Sequence, residues 1–181
     1  LKRPVSGWNI TLDKSIPVCA GMAGGSSDAA AVLRALNRAE GEPYTVEELA
    51  RVGEQIGSDV PYCVLGGTAL AEGRGEVLTP LPALPRCWVV VCKPDFSVST
   101  PELFRAIDSV RLRRRPDTAG VVQALDQGDL EGVARRMYNV FEDALPARLY
   151  SRVQDLKKLL IQQGALGANM SGTGSATFGL F

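Results

Sequence analysis

The chain has 181 residues, 45% of them hydrophobic, with Lys+Arg and Asp+Glu both at 20 and a formal net charge of zero. This is enough chain for one domain, or two small ones, around a buried core. The charge balance gives no basis for nucleic acid or an acidic membrane as a partner. The absence of histidine rules out a histidine triad, base or metal site within the chain.

Cys19, Cys63, Cys87 and Cys92 form no CxxC pair, so they read as small buried hydrophobes in a reduced compartment. No apolar run approaches the ~20 residues of a membrane span, and no signal peptide is evident. The expected location is the cytoplasm. Leu1 and Phe181 do not read as natural termini, so the chain is expected to be a fragment.

Trp8 to Leu12 alternates apolar and polar residues, as a half-buried strand does. A glycine-rich loop follows, then an Ala- and Leu-rich helix from Asp28 to Ala39, ended by Gly41 and Pro43. Thr45 and Glu48 form a capping box for a helix running to about Ile56. Gly57 to Pro61 is a turn. Cys63–Leu65 and Thr68–Ala71 read as short strands around Gly66 and Gly67. The three prolines between Leu78 and Pro85 mark a connector and the candidate domain boundary. Trp88 to Cys92 reads as a buried strand. Thr100 is the expected cap of a helix opened by Pro101 and running to about Ser109. Arg111, Arg113, Arg114 and Arg115 read as a solvated loop. Helices follow near Ala119–Asp126, Leu130–Tyr138 and Tyr150–Gln163, the last closed by Gly164. Two strands, Ala168–Met170 and Ala176–Leu180, flank Ser171-Gly-Thr-Gly174. Without regular βαβ alternation, the class is α+β.

The loop Ala20 to Ala29 carries the chemistry. The first N–H groups of a helix lack internal partners, and the helix dipole adds positive character there. Glycine lets the backbone approach a phosphate closely, and Ser26 and Ser27 add hydroxyls. On this reasoning a Cβ at Gly24 would occupy the phosphate's place. The loop is neither a Walker A sequence nor GxGxxG. Read alone, it serves equally as a tight strand-to-helix turn with Ser27 as cap. Asp59, read alone, is a turn aspartate capping its own backbone.

The run Pro17-Val-Cys-Ala-Gly-Met-Ala-Gly-Gly-Ser-Ser27 resembles the second motif of the GHMP kinases. The form AGGSSDAA is similar to one branch of that family, which acts in the non-mevalonate isoprenoid pathway. Five further segments resemble the same branch in the same order: Gly57-Ser-Asp-Val-Pro-Tyr62, Gly66 to Glu76, Lys93-Pro94 with Ser97 to Pro101, Asn139-Val-Phe-Glu142, and Met170 to Phe181.

The resemblance implies an ATP- and Mg²⁺-dependent kinase with an alcohol acceptor. It implies a ribosomal protein S5 domain 2-like N-terminal domain (1–84) and a ferredoxin-like C-terminal domain (85–181), with the active site between them. Pro17, Val18, Cys19, Ala20, Gly21, Met22, Ala23, Gly24, Gly25, Ser26 and Ser27 would hold the nucleotide phosphates, with Ser27 on the Mg²⁺ side. Asp59 would be the catalytic base. Thr100, Gly172, Thr173 and Gly174 would meet the acceptor. Glu142 is expected to be structural, and Asp28 to favour the helix N-terminus.

The implied partner is the small molecule 4-diphosphocytidyl-2-C-methyl-D-erythritol, phosphorylated on its 2-hydroxyl by a monomer or homodimer. The family's first motif, with its lysine and its Tyr-His pair, is not found, and Lys2 and Lys14 stand in the wrong context to replace that lysine. The helix and strand that follow the family's third motif are not found either. The readings left open are another GHMP kinase of homoserine or mevalonate type, a non-catalytic phosphate-binding module, and a structural domain whose glycines serve only turns.

Overall fold

A computed structural model describes residues 7–181. Helices α1 (Gly24–Ala39), α2 (Val46–Glu54) and α3 (Val60–Leu65) pack together and are followed by an antiparallel hairpin of β1 (Thr68–Glu72) and β2 (Val77–Leu81). Ala30, Leu49, Ala50, Val60 and Val64 form the core of this part. The α1–α2 connection is fixed by polar groups. Asn37, 7% exposed, donates its amide to the Tyr44 carbonyl at 2.9 Å and accepts from the Tyr44 N–H at 3.1 Å. Thr45 and Glu48 then form the expected capping box.

The second part contains β3 (Val89–Cys92), α4 (Thr100–Ile107), α5 (Thr118–Asp126), α6 (Leu130–Arg136), a 3-10 turn at Val140–Ala144, α7 (Ala147–Gln162), β4 (Gly167–Met170) and β5 (Thr177–Leu180). The strands form one antiparallel sheet in the order β3-β5-β4, with α7 against β4 and β5. Val98, Leu103, Leu145, Val153 and Met170 form its core. A third cluster, Ala124, Leu125 and Val133, receives Leu81 and Leu84 from the other part, so the proline-rich connector is packed down. The mixture is α+β, as expected.

Several local expectations change. Residues 8–12 are exposed and form no strand, because no neighbour pairs with them among the described residues. Cys63–Leu65 is helical, the end of α3, with Pro61 in its first turn. Part of the connector is strand β2, which carries Pro80. Strand β3 is present but not buried: Val89, Val90 and Val91 are 44–53% exposed, for β3 is a sheet edge away from the α7-covered strands. Ser99, not Thr100, precedes α4 as its cap residue. The cysteines are free, Cys19 is exposed and the other three are half-buried, so none is a core residue.

A cleft between the glycine loop and the third motif

Helix α1 begins at Gly24, four residues before the sequence suggests. Its first helical bond runs from the Ser27 N–H to the Ala23 carbonyl at 2.8 Å. The N–H groups of Gly24, Gly25 and Ser26 therefore precede the helical ladder and are free to bind an anion. Ala23 and Cys19 hold left-handed φ values of 50° and 54° although both carry side chains. Each such residue costs about 1 kcal/mol or more, so tertiary contacts must hold this loop in shape.

Those contacts come from the far end of the chain. The Ser171 hydroxyl donates to the Gly21 carbonyl at 2.8 Å, and the Ala176 N–H donates to the Ala20 carbonyl at 3.0 Å. Asn139 holds the partner loop, donating to the carbonyls of Met170 at 2.9 Å and Gly172 at 2.7 Å. The two loops touch so closely that a Cβ on Gly21 would stand 2.2 Å from the Ser171 carbonyl oxygen.

The loops wall a cleft of about 620 Å³, within the size of a small-molecule site. Pro17 through Ser26, Asp59, Thr100, Gly172 and Thr173 all line it. Ser27 and Gly174 stand behind the wall. The Ser27 hydroxyl donates to the Gly24 carbonyl at 2.8 Å, and Gly174 bonds back to Ser171 at 2.8 Å. Thr100 and Thr173 share a hydroxyl hydrogen bond at 2.8 Å, joining α4 to the third-motif loop. Asp59 sits at the cap position of α3, yet its carboxylate makes no capping bond and lines the cleft instead. The capping role that the residue suggests when read alone is not the one it has.

The glycines divide the work differently from the expectation. A Cβ at Gly24 would meet the Ile16 side chain at 2.9 Å, not a ligand's space. A Cβ at Gly25 would have nothing within 4 Å, and Gly25 lines the cleft. Gly25 is thus the glycine whose missing side chain leaves room for a ligand.

Sequence reasoning missed five wall residues: Lys14, Ser58, Arg74, Phe104 and Phe141. Lys14, which stands in the wrong sequence context to replace the first motif's lysine, lines the cleft all the same. It pairs with Asp28 in the first turns of α1, which also corrects the reading of Asp28 as a dipole partner only. Phe104 packs edge-on against Phe141 with ring centroids 4.8 Å apart. Its place four residues after Thr100, on the same helix face, was the available signal. Glu142, 5% exposed, is structural as expected: Lys157 donates to it at 2.7 Å, Gln154 at 2.9 Å and the Met170 N–H at 3.1 Å.

Two ionisation shifts occur at neighbours of the cleft residues Asp59 and Arg74. The Cys63 thiol is pushed up by burial and, less, by the nearby Asp59 charge. The Glu76 carboxylate is held below its usual range by backbone N–H groups, its own and that of Arg74. Among the described residues no three His, Cys, Asp or Glu side chains gather as a metal cage, and no helix is long and apolar enough to cross a membrane.

A glycine loop clamped at a helix N-terminus, facing a free carboxylate across a cleft, suits phosphate chemistry on a small molecule. Family comparison assigns that architecture. Residues 1–67 match the family described as GHMP kinases N terminal domain, and residues 121–181 match GHMP kinases C terminal. The chain belongs to the GHMP kinase family.

Within it, the chain is 45% identical over 175 residues to the 4-diphosphocytidyl-2-C-methyl-D-erythritol kinase of Alkaliphilus metalliredigens, covering 97% of this chain and 60% of that protein. It is 48% identical over 174 residues to the enzyme of the same name from Levilactobacillus brevis, covering 96% and 61%. A crystal structure of 4-(cytidine 5'-diphospho)-2C-methyl-D-erythritol kinase superposes with a TM-score of 0.73 at 35% identity, covering 93% of this chain and 59% of that one. A mevalonate kinase from L. major, at 23% identity and a TM-score of 0.70, shares the fold. The chain thus spans about 60% of the length of the curated relatives it matches.

Proposed function

We propose that the full-length protein transfers the γ-phosphoryl group of ATP to the 2-hydroxyl of 4-diphosphocytidyl-2-C-methyl-D-erythritol, as a cytoplasmic enzyme. The observation that carries this is the cleft itself, which is lined both by the residues that open α1 with N–H groups ahead of the helical ladder and by the uncapped Asp59. The names of the relatives support this acceptor.

The residues divide the reaction as phosphoryl transfer requires, which is chiefly positioning and charge neutralisation. Within the loop Pro17–Ser27, the backbone N–H groups of Gly24, Gly25 and Ser26 hold the nucleotide phosphates, at no reorganisation cost during the reaction, and the rest of the loop shapes the wall around them. Asp59 accepts the proton of the acceptor hydroxyl as that oxygen attacks. Thr100, Gly172 and Thr173 frame the acceptor, and Gly174 shapes the third-motif loop from behind the wall. Mg²⁺ favours a few protein oxygens plus phosphates and water over an all-protein cage, which suits a site with no carboxylate cluster among the described residues. The Ser27 hydroxyl proton is engaged by Gly24, but its lone pairs remain for the ion, and Ser26 offers a second hydroxyl on the wall. When bound, the ion supplies charge neutralisation at the phosphates. We place the domain boundary between Leu84 and Pro85.

The test is ATP-dependent phosphorylation by the full-length protein, with homoserine and mevalonate as control acceptors. Turnover of the cytidyl acceptor alone is expected, with Asp59→Asn abolishing transfer while ATP still binds. Turnover of a control acceptor instead would move the protein to another branch. ATP binding without turnover of any acceptor would make it a phosphate-binding module.

A further inference from the structure

The β1–β2 turn is built against Asp59. Its glycines, Gly73 and Gly75, hold φ values of 67° and 113° that favour glycine. A Cβ on Gly75 would lie 3.4 Å from the Ser58 carbonyl oxygen and 3.9 Å from Asp59 Oδ1, so the turn backbone runs past the carboxylate. Between these glycines stands Arg74. Its N–H donates to the Glu76 carboxylate at 2.7 Å, which ties the turn closed. Arg74 is one of the residues that line the cleft.

Among the described residues, the charged side chains on that wall are Lys14, Asp59 and Arg74. Lys14 is already committed to Asp28 on α1. The Arg74 guanidinium makes one 3.3 Å contact with Glu54, and its side chain is 77% exposed. An exposed pair of that kind is weak. A phosphoryl group offers a guanidinium a charged, two-pronged partner that matches its geometry better.

We propose that Arg74 is a further catalytic residue, which leaves Glu54 and donates to the equatorial oxygens of the phosphoryl group in transfer. The inference rests on the kinase reading above. The reacting groups must lie in line, with the leaving oxygen over the glycine loop and the attacking hydroxyl at Asp59. A cation anchored beside Asp59 therefore meets the phosphoryl group where charge develops, rather than the part of the nucleotide that ADP shares with ATP. Without phosphate the guanidinium rests on Glu54, outside the cleft lining, so a swing of the exposed side chain brings it to the phosphoryl group.

The experiment measures single-turnover transfer and ATP and ADP affinities in the full-length protein and in R74M, R74K and E54Q. R74M is expected to slow transfer about 10²–10³-fold, the usual cost of losing one preorganised donor to developing charge. ADP affinity should stay within twofold and the preference for ATP over ADP should narrow. R74K should recover part of the rate, and E54Q should stay within threefold of wild type. R74M within threefold of wild type would overturn the proposal. So would a loss shared equally by ADP affinity and thermal stability, or an E54Q defect as large as that of R74M, since either marks a structural ion pair. If the wild type phosphorylates no acceptor, the kinase reading fails separately, and the ATP-over-ADP preference still tests Arg74.

Discussion

Gly21→Ala isolates the contact that holds the cleft together. Gly21 has a φ of 71° and its missing Cβ would overlap the Ser171 carbonyl oxygen at 2.2 Å and the Gly174 nitrogen at 2.8 Å. Both obstacles are backbone, so neither can rotate aside. The left-handed conformation costs an alanine about 1 kcal/mol. Relieving the overlap by moving one loop costs roughly 1–3 kcal/mol, as overpacking does elsewhere. Separation also stretches the Ser171–Gly21 and Ala176–Ala20 hydrogen bonds, each worth about 1 kcal/mol. With the two hydrogen bonds weakened rather than lost, the expected loss is about 4 kcal/mol, or roughly 8–16 °C in Tm for a protein of this size. Urea unfolding with an unchanged m-value measures it, and nucleotide affinity should fall in parallel because Ala23 and Cys19 lose the clamp on their strained conformations. A Gly21→Ala variant within 0.5 kcal/mol of wild type would refute the reasoning.

Gly25→Ala should behave in the opposite way. It gains up to about 1 kcal/mol of helix propensity with no clash, while ATP affinity drops because the methyl group enters the cleft, as calorimetric titration would show. Glu142→Ala should cost about 3 kcal/mol in chemical denaturation, since it leaves Lys157, Gln154 and the Met170 N–H without their shared acceptor. The lowered Glu76 carboxylate predicts acid sensitivity of the β1–β2 turn. Its folded value lies below its ordinary 4.5, so its contribution is complete above that value and is lost as pH falls through the lower one. Glu76→Gln should therefore flatten the acid limb of the stability profile, and an unchanged limb would show the carboxylate to be idle. The raised Cys63 thiol should alkylate more slowly at pH 8 than exposed Cys19, as peptide mass mapping would report.

Local chemistry made much of the molecule legible. Thr45 and Glu48 mark a helix start because a capping box is closed by residues three apart. The glycine loop is open to a phosphate site as much as to a plain turn, because a helix N-terminus needs only its own backbone to bind an anion. Ordered motifs, spaced from Ile16 to Phe181, were enough to suggest the family. Where local patterning lacked its partner it misled: Trp8 to Leu12 alternates like a strand but no neighbour pairs with it among the described residues. Cys63 to Leu65 is apolar enough for either state, and its packing against α1 and α2 decides for helix.

The site itself was decided by tertiary structure. Lys14 carries no motif, and Arg74 lies within the matched Gly66–Glu76 segment with no role read from it; only the fold sets both on the same wall as Asp59. The roles of Gly21, Gly24 and Gly25 look alike in sequence, yet one meets a backbone 150 residues away, one meets Ile16 and one meets open space. A residue's conformational freedom is written in its type. What stands opposite its Cβ depends on chain segments brought together by burial and long-range hydrogen bonds, which no local pattern records.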